Sequence, residues 1–273
     1  MRLLVRLPLA GVFFLCVTAS AQDTGPVHPA PYLPSPPATV DEMLRLAELN
    51  RDDVVYDLGS GDGRVVIAAA QKFGARGVGI EIDGQLVAQS RANAERAGVE
   101  HRVRFIPQDL FQANLAEATV ITLYLSPNLN LRLRPALLAL KPGTRIVSHA
   151  SDFGDWKPDR RSAIRKDVRL WFVPARIAGL WRGTTGSRPL EMEFSQRYQE
   201  IAANARLDGV AAQVWEASLQ ADRVRFVIVD APDTANEASL YFEGAIRGNA
   251  MEGSVERGVG AARSVEHFRI ERR

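Results

Sequence analysis

Three acidic residues stand at the ends of three apolar runs. Asp57 follows Val54-Val55-Tyr56, Glu81 follows Gly77-Val78-Gly79-Ile80, and Asp109 comes shortly after Val103-Arg104-Phe105-Ile106. Beyond Asp57 the chain reads Leu58-Gly59-Ser60-Gly61-Asp62-Gly63-Arg64, with glycine at every second position of the turn. Glycine lets a backbone turn sharply and lets a ligand approach the main chain. A pyrophosphate beside the Asp57 carboxylate would meet like charge, whereas the ammonium of a methionine moiety would be attracted. The spacing G-x-G-x-G also departs from the dinucleotide fingerprint G-x-G-x-x-G. Glu81 is placed to accept from both hydroxyls of a ribose, and Asp109 from an adenine amino group. Together the three acids point to S-adenosylmethionine. The plainer alternative makes Glu81 and Asp109 ordinary helix caps.

The elements that must position these groups alternate. Thr39-Val40-Asp41-Glu42 reads as a capping box for a first helix. Strands are expected at about 53–58, 76–82, 103–108, 119–125 and 145–148, with helices at 62–73, 84–97 and 129–139 between them. Alternation of this kind predicts a parallel sheet with right-handed crossovers, which binds ligands at the carboxyl ends of its strands. After about residue 170 the pattern becomes period-two: Leu190, Met192 and Phe194 alternate with polar residues, as do Val224, Phe226 and Ile228. Asp208-Gly209 and Glu252-Gly253 read as turns. The fold class is therefore α/β, a Rossmann-like doubly wound parallel sheet, followed by a smaller antiparallel all-β domain of five to seven strands. The expected organisation is a signal peptide (1–21), a proline-rich linker (22–38), a catalytic domain (39–173) and a β domain (174–273). Residues 168–173 are read as the last strand of the first sheet or the first strand of the second.

Asp57-Leu58-Gly59-Ser60-Gly61-Asp62-Gly63-Arg64, Gly79-Ile80-Glu81 and Gln108-Asp109-Leu110 resemble the signature of class I S-adenosylmethionine-dependent methyltransferases. The full spelling of the glycine turn is similar to that of the small protein-lysine methyltransferases, which include the ATP synthase c-subunit lysine methyltransferase. Asp155-Trp156-Lys157-Pro158-Asp159 is similar to a Trp-x-Pro-Asp element of that branch. The resemblance spans residues 30–160. It implies a cofactor set of Tyr32, Asp57, Gly59, Ser60, Gly61, Gly63, Glu81, Ile82, Asp109 and Leu110. Tyr32 enters because the segment before the first helix, here Tyr32-Leu33-Pro34-Ser35-Pro36, often closes over the cofactor in such enzymes; a solvated tether is the other reading of it.

The acceptor is expected over the end of the fourth strand, Leu123-Tyr124-Leu125-Ser126-Pro127-Asn128. The Asn/Asp-Pro-Pro-Tyr/Phe element of amide and amino-purine methyltransferases is absent there. That argues against adenine, cytosine or glutamine acceptors and leaves a lysine as the leading one. Tyr124 and Trp156 are candidate walls of an aromatic, desolvated acceptor site, which favours a neutral amine; both types are more often plain packing residues. His149 with nearby Asp152 is a candidate proton acceptor, and Ser126 a candidate hydrogen-bond partner of the acceptor. Asp155 and Asp159 read equally well as turn residues. A small-molecule acceptor, an exported non-catalytic binding protein on the same fold, and an aminopropyl transferase are the competing readings. The last would need further acids near Leu123-Tyr124-Leu125-Ser126.

Composition sets outer limits. The chain has 273 residues, 46% hydrophobic and 24% charged, enough for one sizeable core and a smaller one. A net charge of +2 is too small to argue for nucleic acid as partner; a protein or small-molecule acceptor is expected. Cys16 is the sole cysteine, and the histidines at 28, 101, 149 and 267 lack ligand spacing, so no metal is expected. At the amino terminus Arg2 and Arg6 precede an apolar stretch, Leu7 to Val17, and then Ala19-Ser20-Ala21. This fits a secretory signal peptide cleaved before Gln22, and hence a secreted or periplasmic enzyme. A mitochondrial presequence is the runner-up. The apolar stretch is short for a stable membrane span.

Overall fold

A computed structural model of the chain describes residues 33–230, 238–257 and 264–273. The expected signal peptide and Tyr32 lie outside the described residues.

The first unit is a seven-stranded sheet in the order β3-β2-β1-β4-β5-β7-β6. Its strands are β1 (Val54–Leu58), β2 (Arg76–Glu81), β3 (Val103–Pro107), β4 (Val120–Leu123), β5 (Arg145–His149), β6 (Arg160–Arg161) and β7 (Val168–Phe172). The first five are parallel; β7 runs antiparallel to β5 and to β6. Residues 168–172 thus complete the first sheet. All of β1 and β4 is buried, as expected for central strands covered on both faces. One face packs Val55, Val66, Ala69 and Val147 with helix residues, and the other packs Tyr56, Leu58, Ile121 and Leu133. Strand order reverses between β1 and β4, which opens the crevice where α/β sheets take ligands.

Helices α1 (Pro37–Leu46), α2 (Arg64–Phe73), α3 (Gly84–Arg96) and α4 (Pro127–Leu137) flank the sheet. The capping-box expectation fails. α1 begins at Pro37, so Thr39 is inside its first turn and buried. Proline is favoured at a first helical position because its missing N–H would have no partner there. Glu42 is instead buried beneath the helix, accepting from Arg45 and from the Ser162 hydroxyl.

The second unit is a closed antiparallel barrel. Its eight strands among the described residues are β8 (Gly179–Thr185), β9 (Arg188–Arg197), β10 (Glu200–Leu207), β11 (Val210–Gln220), β12 (Arg223–Asp230), β13 (Ala238–Arg247), β14 (Ala250–Arg257) and β15 (Ser264–Arg272). The expectation of five to seven was low: half of the inward face of β10 (Ile201, Ala203, Ala205, Leu207) is alanine, and β11 shifts register between Trp215 and Ser218, which breaks its alternation. Phe194, Phe226, Phe242 and Phe268 fill the interior in mutual ring contact. Asp208-Gly209 is a hairpin turn, but Glu252-Gly253 is not: both lie inside β14, and the turn falls at Gly248. Gly253 serves close strand approach, since a Cβ there would sit 2.0 Å from the Glu243 carbonyl oxygen.

Candidate functional site

The turn after β1 is built around its glycines. Gly59, Gly61 and Gly63 have φ of 81°, 54° and 79°, a region that side chains make costly. The Gly59 and Ser60 amides both donate to the Ile80 carbonyl, which pins the turn to β2. Gly63 caps α2 and lies against the Phe105 ring, where a Cβ would come within 2.6 Å. The turn therefore faces the crevice with backbone rather than side chains.

Asp57 sits at the tip of β1, buried. Register explains its partner: parallel pairing sets Thr122 of β4 beside it, and the Thr122 hydroxyl donates to Asp57 Oδ1 at 2.7 Å. Burial pushes the Asp57 carboxyl up to about 7, against the Thr122 hydrogen bond, with Glu81 and Asp62 raising it further. A buried acid near two others is a place for a cation. Glu81 ends β2. Its Oε1 accepts from the Ile82 and Asp83 amides at 2.8 and 3.0 Å, and its Oε2 from the Gly61 amide at 2.9 Å. The second acid thus braces the glycine turn from across the crevice. Ile82 beyond it is 65% exposed, an apolar surface beside a polar pocket. Asp109 accepts from the Phe111 amide at 2.9 Å and caps the short turn Leu110–Gln112. Leu110 is half-buried. Ser60 Oγ is buried without a partner among the described residues. An acid for an ammonium, an acid for hydroxyls, an apolar wall and a spare hydroxyl fit an adenosyl-amino acid.

On the acceptor side the structure brings together Tyr124 and His149. Their ring centroids are 4.0 Å apart at the ends of β4 and β5, with Tyr124 partly exposed. The expected pairing of His149 with Asp152 is corrected. His149 Nε2 lies 3.1 Å from Asp167 Oδ2, and Nδ1 lies 2.9 Å from Ser35 Oγ. Ala150 takes a left-handed φ of 67°, donates to the Asp167 carbonyl, and turns the chain so that Asp167 is the carboxylate that reaches the ring. Burial lowers the His149 pKa, partly offset by Asp167. A carboxylate only accepts, so Nε2 carries the proton and Nδ1 accepts from Ser35. Both nitrogens are occupied, which argues against His149 as a direct base.

Trp156 is also corrected. It is fully buried among Phe153, Trp171 and Tyr198, and its carbonyl accepts from Trp171 Nε1 at 2.9 Å. It packs the fold and does not line a site. Asp155 binds Arg134, Arg197 and Tyr198, and Asp159 accepts from the Phe172 amide. Ser126 caps α4 through the Leu129 amide at 3.5 Å and is exposed. Thr122 and Asp167 were not foreseen, and Ser35 and Arg64 were given no role although they lie in the segment before the first helix and in the glycine-turn motif. Only strand register or loop geometry brings them to the site.

The methyltransferase domain model named for ANTKMT matches residues 57–160. A protein-lysine N-methyltransferase of Saccharolobus islandicus is 43% identical over 130 residues, which are 47% of this chain and 81% of the relative. The chain belongs to the protein-lysine N-methyltransferase family. It is an S-adenosylmethionine-dependent methyltransferase. The ATP synthase c-subunit lysine N-methyltransferase of Xenopus laevis is 35% identical over 130 residues, and this chain spans 57% of its length. Among solved structures, an RNA methyltransferase from Salinibacter ruber in complex with S-adenosyl-L-homocysteine is 54% identical, with a TM-score of 0.52. It covers 53% of this chain and 96% of its own. The family model's match lies within the first unit, and the barrel lies beyond it.

Proposed function

We propose that this methyltransferase acts on the ε-amine of a lysine in a protein. The observation that carries the reading is the tip of β4, where a partly exposed Tyr124 lies tilted against His149 at 4.0 Å between ring centroids and the sequence has no amide-clamping Asn/Asp-Pro-Pro element. When bound, S-adenosylmethionine supplies a sulfonium methyl open to in-line displacement by a neutral amine. The residues of the chain position and desolvate. Asp57 and Glu81 hold the cofactor's ammonium and ribose. Tyr124 offers an exposed ring face that attracts an approaching ammonium, which gives up its proton to solvent before the transfer. The lysine acceptors of the named relatives support the same reading.

A second reading, an RNA acceptor, is favoured by the likeness to the RNA methyltransferase of Salinibacter ruber and by the exposed Arg161 and Lys166 on the β6–β7 hairpin that also carries Asp167. One labelling experiment separates them. Protein and RNA fractions are incubated with the enzyme and methyl-tritiated cofactor. Label released by protease and recovered as methyl-lysine supports the proposal. Label released by ribonuclease supports the second reading, and label in neither fraction points to a small molecule.

We also infer export, from Arg2, Arg6, the apolar stretch and Ala19-Ser20-Ala21. The expected mature chain begins at Gln22; sequencing the amino terminus of protein from fractionated cells tests this, and an intact Met1 in the cytoplasm overturns it.

A further inference from the structure

Ser35 is the buried residue of a stiff Pro34-Ser35-Pro36 strap, in which its two prolines are exposed. Pro36 holds φ −58° and ψ 146°, and a residue before proline is confined to extended backbone. The strap is tied on both sides. The Ser35 carbonyl accepts from Arg64 Nη1 at 2.9 Å, and Arg64 is gripped by Asp62 of the glycine turn, through Nε at 2.9 Å and Nη2 at 2.7 Å. On the other side Ser35 Oγ meets His149 Nδ1, and His149 Nε2 meets Asp167. An unbroken chain of polar contacts thus runs from the cofactor turn to the acceptor-side end of β5.

A serine, a histidine and an aspartate in sequence could suggest hydrolysis. The geometry argues otherwise. Ser35 is buried, and Pro36, the next residue, has no N–H to stabilise an oxyanion. The same contacts are suited to holding the strap. The Ser35 hydroxyl ties Pro34–Pro36 to the end of β5, and the direction of donation is fixed by the Asp167 carboxylate.

We infer that Ser35, His149 and Asp167 form a latch that fixes the Pro34–Pro36 strap against the glycine turn, and that these three positioning residues set the enzyme's affinity for its cofactor. His149 then acts on the reaction through Ser35 and Arg64. The charged groups around the ring are Asp167 and Arg165, both on the segment leading into β7.

The test is calorimetric titration of the full chain with S-adenosylhomocysteine, with thermal melts run alongside. Ser35→Ala leaves a buried imidazole nitrogen without its donor, and the expected result is about tenfold weaker binding with a Tm within a few degrees of the parent. Asp167→Ala is expected to weaken binding similarly. Asp167→Asn is expected to restore most of the affinity, because its side-chain oxygen still accepts from Nε2 and Nδ1 still accepts from Ser35 Oγ. ¹⁵N-histidine spectra report the tautomer directly: His149 carries its proton on Nε2 in the parent and in Asp167→Asn. Unchanged binding in Ser35→Ala overturns the latch. So does binding that weakens only in step with a collapse of Tm, or a protonated Nδ1 in the parent. Failure of the parent itself to bind S-adenosylhomocysteine would instead refute the cofactor site.

Discussion

Burial holds the Asp57 carboxyl at about 7, far above its ordinary 3.8. Between those two values the folded chain keeps a proton that the unfolded chain has already released. Stability from this group is therefore lost as pH rises from about 4 to about 7. An ammonium ligand, by contrast, needs the ionised form. Two opposite responses follow at one residue. Asp57→Asn keeps an acceptor for the Thr122 hydroxyl and removes the buried charge, so the ligand-free variant should be more stable at pH 8 by about 1–3 kcal/mol. The same variant should bind S-adenosylhomocysteine roughly tenfold to a hundredfold more weakly, through loss of a charge-assisted contact. In the parent, affinity should climb as pH rises through about 7 and level off roughly a unit above it. Melts and titrations over that range check all three. A flat affinity profile would show that Asp57 does not ionise on binding. Gly79 offers a steric test of the same pocket. A Cβ there would lie 2.6 Å from both the Phe105 ring and Ser60 Oγ. Gly79→Ala should displace Ser60 and weaken cofactor binding at least several-fold, while Gly84→Ala, which meets open space, should leave binding unchanged.

At the scale of elements, the segment after β5 carries the sharpest contrast between sequence and structure. Asp155-Trp156-Lys157-Pro158-Asp159 points to an acceptor wall by resemblance, yet Trp156 is packed inside an aromatic cluster. Trp156→Ala should thus lower stability by about 3–5 kcal/mol. Below the resulting Tm, cofactor affinity should stay near that of the parent. Circular-dichroism melts and titration separate this from a site role, in which stability would hold and turnover would fall. The parallel sheet was legible because its strands are continuous apolar runs and its helices are periodic. The places of Asp57, Glu81 and Asp109 were legible because these acids fall at or near the ends of those runs. Thr122 was not, since its place beside Asp57 depends on β1–β4 register. Asp167 was not, since a left-handed Ala150 turns the chain away from Asp152 and toward it. The closed barrel was undercounted for a similar reason. In β10 two of the four inward residues are alanine, and in β11 a register shift between Trp215 and Ser218 breaks the period of two.

At the scale of the molecule, the barrel is tied to the methyltransferase unit through the β9–β10 hairpin and the chain that leads into β8. Tyr198, at the hairpin tip with φ 57°, stacks on Trp156 at 5.9 Å between centroids and donates to Asp155. Arg197 pairs with Asp155, and Lys157 with Glu200. The Ala175 amide donates to the Ala221 carbonyl at the β11–β12 turn. The ion pairs are exposed and contribute little each. The buried Trp156 contact is different, because it belongs at once to the core of the first unit and to the docking of the second. Damage to the barrel should therefore be felt by the catalytic unit. Gly253→Ala forces a Cβ onto the Glu243 carbonyl and should open the β13–β14 seam, far from the cofactor turn in sequence. With the units coupled through Trp156 and Tyr198, calorimetry should show one transition in the parent and one, at lower temperature, in Gly253→Ala. Tyr198→Ala should loosen the coupling, so that the Gly253→Ala, Tyr198→Ala double variant resolves into two transitions, of which only the higher shifts upward with S-adenosylhomocysteine. Two transitions already present in the parent would mean that the barrel is an independent module, and that the shared aromatic contact transmits nothing.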